Sequence, residues 1–276
     1  MRIYISADME GVTGLVDADD VQPGGRDYER GRRMMAEDVN AAIRGALSAG
    51  ATDITVNDAH GPMRNILPEL LHPAARLLRG KPKQMLMLEG LAPEHDAVIC
   101  VGYHSRAGAL GVLSHSFMGH EIEDMWLDSR PVGEIGLAHA TAAAIGVPVT
   151  VLTGDDCACT EMTDWDASVT TVPVKYARDR FAADLRPTEE ARTAIEEAVA
   201  AALSAPRTAT AVPSAPSTLT VRWQSASVAS TLLGIPGVTS ADTRTVQAQG
   251  TLPDLYRLFG VWMRVAASLT NQQPYC

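Results

Sequence analysis

An α/β fold is predicted, with a mostly parallel sheet carrying helices on both faces and a smaller C-terminal α+β lobe. Three observations predict it. Ala97, Val98, Ile99, Cys100 and Val101 form an unbroken apolar run, as expected of a strand buried on both faces of a parallel sheet. Such strand-like runs alternate with helix-period segments through the first two-thirds of the chain. Polar residues also begin where several of these strands stop.

In order, residues 1–11 open the chain as a strand in which Ile3, Ile5, Ala7 and Met9 share one face. Arg2, Tyr4, Ser6, Asp8 and Glu10 share the other, because successive side chains of a strand alternate. Two carboxylates thus end the strand on one side, and Gly11 lets the backbone turn away. Residues 21–27 are a Pro/Gly-rich loop. Residues 28–48 have helical spacing, with Met34, Met35, Val39, Ile43 and Leu47 as the apolar stripe and Gly50 beyond its end. A second strand centred on 54–56 runs into Asn57, Asp58, Ala59 and His60. Residues 61–90 contain one short helix and a strand or loop. The strand at 96–103 ends in His104, and residues 105–120, rich in Gly, Ser and His, form a loop over the strand ends.

A helix over 132–145 ends at Gly146, and a strand over 147–152 precedes Gly154, Asp155 and Asp156. A further strand is predicted at 169–174, then an Ala-rich helix at 188–203 with Thr188 as N-cap. Residues 205–217 read as a Pro/Ser/Thr/Ala linker. The remainder reads strand (218–223), helix (227–233), strand (243–249), helix (252–269). The expected organisation is therefore a metal-binding α/β domain over 1–180, a helix and linker over 181–217, and the α+β lobe over 218–276. No internal repeat is visible. Right-handed crossovers would place the ends of the first-domain strands on one edge of the sheet.

The 276 residues, 46% hydrophobic, are enough to bury a full core. A net charge of −10 argues against nucleic acid, whose phosphates need a basic surface. No apolar run is long enough to span a bilayer and no export signal precedes the first strand, so a cytoplasmic location is expected. Cys100, Cys157, Cys159 and Cys276 are too few and scattered for a disulfide framework and are read as reduced thiols.

Three strands of the first domain end in potential ligands: Asp8 and Glu10, then His60, then His104. Ligands of open α/β sheets bind beyond the carboxyl ends of the strands, so these side chains can converge. Two neighbouring carboxylates repel unless a cation or proton lies between them, and carboxylate with imidazole suits zinc or a similar divalent ion. An ordinary solvated strand end would also carry two acids. Glu134, in the first turn of its helix, is a fifth candidate, although the helix dipole alone favours an acid there. His115, flanked by Ser114 and Ser116, is a candidate acid or base, with a further ligand or a surface histidine as alternatives. A Ser114 or Ser116 nucleophile is disfavoured because adjacent side chains seldom make the required hydrogen bond. His72, His95, His120 and His139 have no comparable setting. Cys157 and Cys159 lack the spacing and companions of a zinc site and are read as inert.

The blocks Ser6-Ala-Asp-Met-Glu-Gly11, Val56-Asn-Asp-Ala-His60, Gly102-Tyr-His-Ser-Arg-Ala107, Gly111-Val-Leu-Ser-His-Ser116 and Arg130-Pro-Val-Gly-Glu-Ile-Gly136 occur in this order. Together they resemble the signature of the zinc-dependent D-aminopeptidases of the dipeptide-transport operon type. The resemblance covers nearly the whole chain, including Thr243-Arg-Thr-Val-Gln247, and is weakest over 182–216. It implies two Zn2+ per subunit, with Asp8 bridging, Glu10 and His60 completing one ion, and His104 and Glu134 the other. It implies His115 as the catalytic histidine, a short peptide with a free N-terminus as substrate, small D-residues such as D-Ala at that terminus, and a homo-oligomer, a ring-stacked decamer in the family's best-known member. Cys157, Cys159 and the stretch Met118-Gly-His-Glu121 depart from the pattern. The competing readings are a two-metal amidohydrolase or phosphoesterase, which basic residues around the site would favour, and a non-catalytic metal-stabilised binding protein.

Overall fold

A computed structural model describes residues 1–205 and 216–270. Along the chain lie β1 (Arg2–Ala7), α1 (Ala18–Val21), α2 (Tyr28–Ser48), β2 (Asp53–Asp58), β3 (Ala75–Leu78), β4 (Ala97–Tyr103), β5 (Ile122–Leu127) and β6 (Arg130–Pro131). Then come α3 (Glu134–Ile145), β7 (Val149–Asp155), α4 (Asp156–Trp165), β8 (Thr170–Asp179), β9 (Ala182–Leu185) and α5 (Thr188–Ser204). The chain closes with β10 (Ser217–Trp223), α6 (Ala226–Leu232), β11 (Thr239–Asp242), β12 (Thr245–Gly250) and α7 (Leu252–Thr270).

The main sheet has seven strands in the order β3-β2-β1-β4-β7-β8-β9, parallel throughout except for β9 against β8. Its β1, β2, β4 and β7 therefore end on the same edge. The alternation read in β1 sorts its side chains into two cores. Ile3, Ile5, Ala7 and Met9 pack with Met35, Val39 and Ile43 of α2 and with Ile195 and Val199 of α5. Tyr4 packs on the other face with Val98 and Cys100 of β4, Ile135 of α3 and Phe259 and Trp262 of α7. With both faces covered, each such aliphatic side chain contributes about 1.5–3 kcal/mol of burial.

A second sheet, antiparallel and ordered β11-β12-β10-β5-β6, packs into the same core as α3 and α7. Two of its strands, β5 and β6, come from residues 122–131, so this sheet is not confined to the 218–276 segment. The sequence hid β5 because Ile122, Met125 and Leu127 are buried without strict alternation, and the pairing with β10 shifts register between Arg222 and Trp223. The short elements β3, β9 and β11 lie at sheet edges and were too brief to carry a period. Residues 61–90 hold two single 3-10 turns, at Pro68–Leu70 and Leu86–Leu88, around β3. The expected N-cap Thr188 is instead the first residue of α5, with Pro187 in the cap position. Most of the linker read at 205–217 and Cys276 lie outside the described residues; Ser217 already belongs to β10. No described helix is long and apolar enough to cross a membrane.

What brings the strand ends together is close backbone contact between the ends of β1 and β4. The Asp8 amide donates to Val101 O at 2.8 Å and the Gly11 amide to Gly102 O at 2.8 Å. A Cβ on Gly11 would lie 1.9 Å from Tyr103 O, and one on Gly102, which sits at φ +73°, 2.4 Å from Asp8 O. Both positions require glycine on steric grounds. Gly102→Ala is accordingly expected to lower unfolding stability by at least about 1–3 kcal/mol, the usual cost of a strained backbone conformation, before the clash is added. Urea denaturation checks this; a change below about 0.5 kcal/mol, within the scatter of surface substitutions, would contradict it.

Candidate metal centre

Asp8 follows β1, His60 follows β2 and His104 follows β4, each one or two residues past a strand end. Glu10 lies in the turn beyond Asp8, and Glu134 opens α3. All five are buried, at 1–8% exposure, and they converge. His60 Nε2 is 3.1 Å from Glu10 Oε1. His104 Nε2 is 3.5 Å from Asp8 Oδ2 and 3.4 Å from Glu134 Oε1. His115, on the loop after β4, places Nε2 4.0 Å from Glu10 Oε1 and 3.9 Å from Glu134 Oε1. Its ring stacks on that of His104 with centroids 4.2 Å apart.

The surrounding hydrogen bonds fix which atoms face inward. His104 Nδ1–H donates to Ser105 O at 2.9 Å and His115 Nδ1–H to Leu113 O at 2.8 Å, so in both rings Nε2 is the atom that faces the carboxylates. Glu134 Oε1 accepts from the Phe117 amide. Asn65 supports His60: its Oδ1 faces His60 Nδ1 at 3.4 Å and accepts from Tyr28 Oη, while its amide donates to Asp58 Oδ1 and His60 O. Beneath the turn, the buried ammonium of Lys175 in β8 donates to Glu10 O, Val12 O and Leu15 O at 2.6, 3.0 and 2.6 Å. Burial draws that lysine down to about 8 against the opposing pull of nearby acids.

The electrostatics record crowding of like charge. Burial, then the charges of Glu10 and Glu134, pushes Asp8 well above the usual carboxylate range. Burial works the same way on Glu10, but His60, backed by His104 and His115, outweighs it and holds Glu10 well below that range. For Glu134, burial is outweighed by His104, which lowers it. His60 is raised to about 9, burial being overcome by Glu10, and His104 is raised by Glu134 in the same way. Burial and the neighbouring charge of His104 lower His115.

This arrangement fits a bound divalent cation. Asp8 Oδ2, Glu10 Oε2 and His104 Nε2 are buried without a hydrogen-bond partner, a state that costs free energy unless something else takes the lone pairs. Asp8, His104 and Glu134 each offer a ligand atom within 4.8 Å of the others, as do Glu10, His104 and His115. The donor set is carboxylate and imidazole, which suits zinc. The cluster opens on a cavity of about 480 Å³.

All six residues singled out as ligands or catalyst thus meet at one place. The rest do not join them. Ser116 Oγ accepts from the Ala107 amide instead of meeting His115. His72, His95 and His139 bond locally to Ala74, Ala92 and Asp166. Cys157 and Cys159 stand at the start of α4, their thiols pushed up by burial to about 11 and about 12. Asp155 and Asp156 lie with Cys157, but their carboxylates already accept from backbone amides of Ala158, Val112 and Ala177. The supports Asn65, Lys175 and Phe117 were missed. Lys175 alone left a trace, as a lysine directly after the apolar Val172-Pro-Val174 run of a strand.

Comparison with known proteins finds similarity over nearly the whole chain. A family model described as D-aminopeptidase matches residues 1–261. A D-aminopeptidase of Bacillus subtilis (strain 168) is 34% identical over 277 residues, covering 100% of both chains. A solved structure, the Zn-dependent D-aminopeptidase DppA from Bacillus subtilis, described as a self-compartmentalizing protease, superposes with a TM-score of 0.93 at 34% identity over 100% of both chains.

If the orphaned oxygens and nitrogen take a cation, zinc must stabilise the folded chain. At a hundredfold excess over the dissociation constant the expected gain is about 2.7 kcal/mol, seen as a raised melting temperature, and Asp8→Ala should abolish most of it. An unchanged melting temperature with zinc present would contradict the assignment.

Proposed function

The chain belongs to the D-aminopeptidase family, and on that premise we propose that it is a zinc-dependent aminopeptidase removing N-terminal D-residues, such as D-Ala, from short peptides. One observation carries the reading: Asp8, Glu10, His60, His104 and Glu134 converge with unpartnered buried ligand atoms at the mouth of a cavity, with His115 beside them. By family resemblance, Asp8 would bridge two zinc ions, Glu10 and His60 would complete one, and His104 and Glu134 the other. Zinc in such a site supplies a water of lowered pKa and polarises the scissile carbonyl.

The protein's own groups do the rest. His115 is held by its Nδ1–H bond to Leu113 O, so Nε2 is the atom available to take a proton from the nucleophile and return it to the departing amine. Its stacking on His104 fixes the ring plane. Asn65 keeps His60 oriented, and Lys175 pins the turn that carries Glu10, so that both hold position without substrate. Glu10 and Glu134 give a free α-amine anionic partners near the reacting carbon. The homo-oligomer expected from the resemblance, a decamer in the family's best-known member, would agree with the self-compartmentalizing description of the B. subtilis relative.

A phosphoesterase reading is kept as a control because Lys81, Lys83 and Arg264 line the cavity. The deciding assay compares D-Ala-D-Ala, L-Ala-L-Ala, N-acetyl-D-Ala-D-Ala and a phosphomonoester under matched zinc. Cleavage of the free D,D peptide alone is expected. Cleavage of the acetylated peptide at a comparable rate rules out the aminopeptidase mechanism, and faster L,L than D,D cleavage rejects the stereochemical preference. His115→Ala should lose about 10²- to 10⁴-fold in kcat while retaining its zinc; a fall in metal stoichiometry would make His115 a ligand. Metal content should fall further in Asp8→Ala than in Glu134→Ala, since only Asp8 is proposed to touch both ions. Equal loss would remove the bridging assignment.

A further inference from the structure

The cavity has a second charged wall. Lys81, Lys83 and Arg264 line it, and among the described residues its acids are Asp8, Glu10 and Glu134 of the metal cluster. Much of the remaining lining is apolar, including Met63, Met87, Phe117 and Met263. The three cations are not equivalent. Lys83 is fully engaged, its ammonium donating to Asn57 Oδ1, Asp58 O and Leu78 O at 2.6, 2.6 and 3.2 Å. Arg264 gives one donor to Lys83 O at 3.1 Å, which leaves most of its guanidinium fork unused and ties it to the segment that carries Lys81. The Lys81 ammonium has no hydrogen bond or ion pair to any described residue, and its side chain is exposed.

In a chain with a net charge of −10, two cations with free donors stand in the same cavity as the metal cluster. Such a cavity is anionic at one place and cationic at another. A free dipeptide or tripeptide has the matching polarity, with an ammonium at one end and a carboxylate at the other. A guanidinium fork reads a planar carboxylate through paired hydrogen bonds, and an ammonium adds a point charge.

We propose that Lys81 and Arg264 form a subsite for the free C-terminal carboxylate of a short peptide, so that the enzyme reads both ends of its substrate. The proposal rests on the aminopeptidase reading and adds to it a requirement at the far end of the peptide. Phe117, Met118 and Met263 would then flank the side chain of the residue that leaves. The carboxylate requirement also limits substrate length, because a longer peptide cannot place both ends in one cavity of about 480 Å³.

The test is steady-state kinetics of the zinc-loaded enzyme on D-Ala-D-Ala and its C-terminal amide, which differ in charge at one end only. Charge-assisted hydrogen bonds of this kind correspond to about a 10- to 100-fold preference in kcat/KM for the free acid. In Lys81→Glu, an exposed position that perturbs folding little, the acid-to-amide ratio should fall to one or below, with the change in KM for the acid. Arg264→Met should narrow the ratio in the same direction. Equal rates on acid and amide in the wild type, with a free amine still required, overturn the subsite and leave the aminopeptidase reading intact. An unchanged ratio in Lys81→Glu overturns it as well. Failure to cleave either peptide overturns both.

Discussion

Three carboxylates and two imidazoles share a buried space a few ångströms across, and the rest of the structure is arranged to hold them there. Two like charges about 5 Å apart repel by roughly 3 kcal/mol at an effective dielectric of about 20. Burial adds to this by removing water from Asp8, Glu10 and Glu134. The carboxylates raise the proton affinities of His60 and His104, which partly offsets the repulsion. A divalent cation removes the conflict more completely, because it takes the ligand atoms that protons leave without partners. A strained cluster of this kind persists only where its scaffold is rigid.

The scaffold supplies rigidity through backbone. Glycine at 11 and 102 allows β1 and β4 to approach until Asp8 and His104 face one another, and Lys175 clamps the turn between Glu10 and Leu15 from below. The second sheet has its own part in this. The β5–β6 hairpin delivers the chain to Gly133, and the Val132 amide bonds to Met125 O at 2.9 Å, so the start of α3 and with it Glu134 is set by antiparallel pairing rather than by the parallel sheet. α7, which covers that same core, then contributes Gly260, Met263, Arg264 and Ala267 to the cavity wall. The metal ligands and the cavity wall thus draw on both sheets and on α7.

The parallel sheet was legible in the sequence because its signals are local: the apolar run of β4, the stripe of α2 and the alternation of β1 each lie within one element. The ligands were legible for the same reason, since Asp8, His60 and His104 follow strands whose ends the topology must bring to one edge. Signals that depend on tertiary contact were lost. The β5 strand has no clean alternation because its pairing with β10 slips, and the hairpin strand β9 is four residues long. Arg264 lies 183 residues from Lys81 and 181 from Lys83 in sequence, and nothing in either neighbourhood announces that they line one cavity. Asn65 and Lys175 reached the site through hydrogen bonds to backbone and side chain that carry no spacing rule. The metal-site residues are thus readable as a pattern, whereas the groups that orient them and select a substrate are readable only once the fold is known.

The central claim is that metal binds where these strand ends converge. Anomalous diffraction at the zinc edge from zinc-loaded crystals tests it most directly. The account predicts two peaks per subunit, one within bonding distance of Glu10 and His60, one of His104 and Glu134, with Asp8 reaching both. A single zinc held elsewhere, for instance beside Asp155, Asp156 and Cys157, with the strand-end cluster empty, would contradict it.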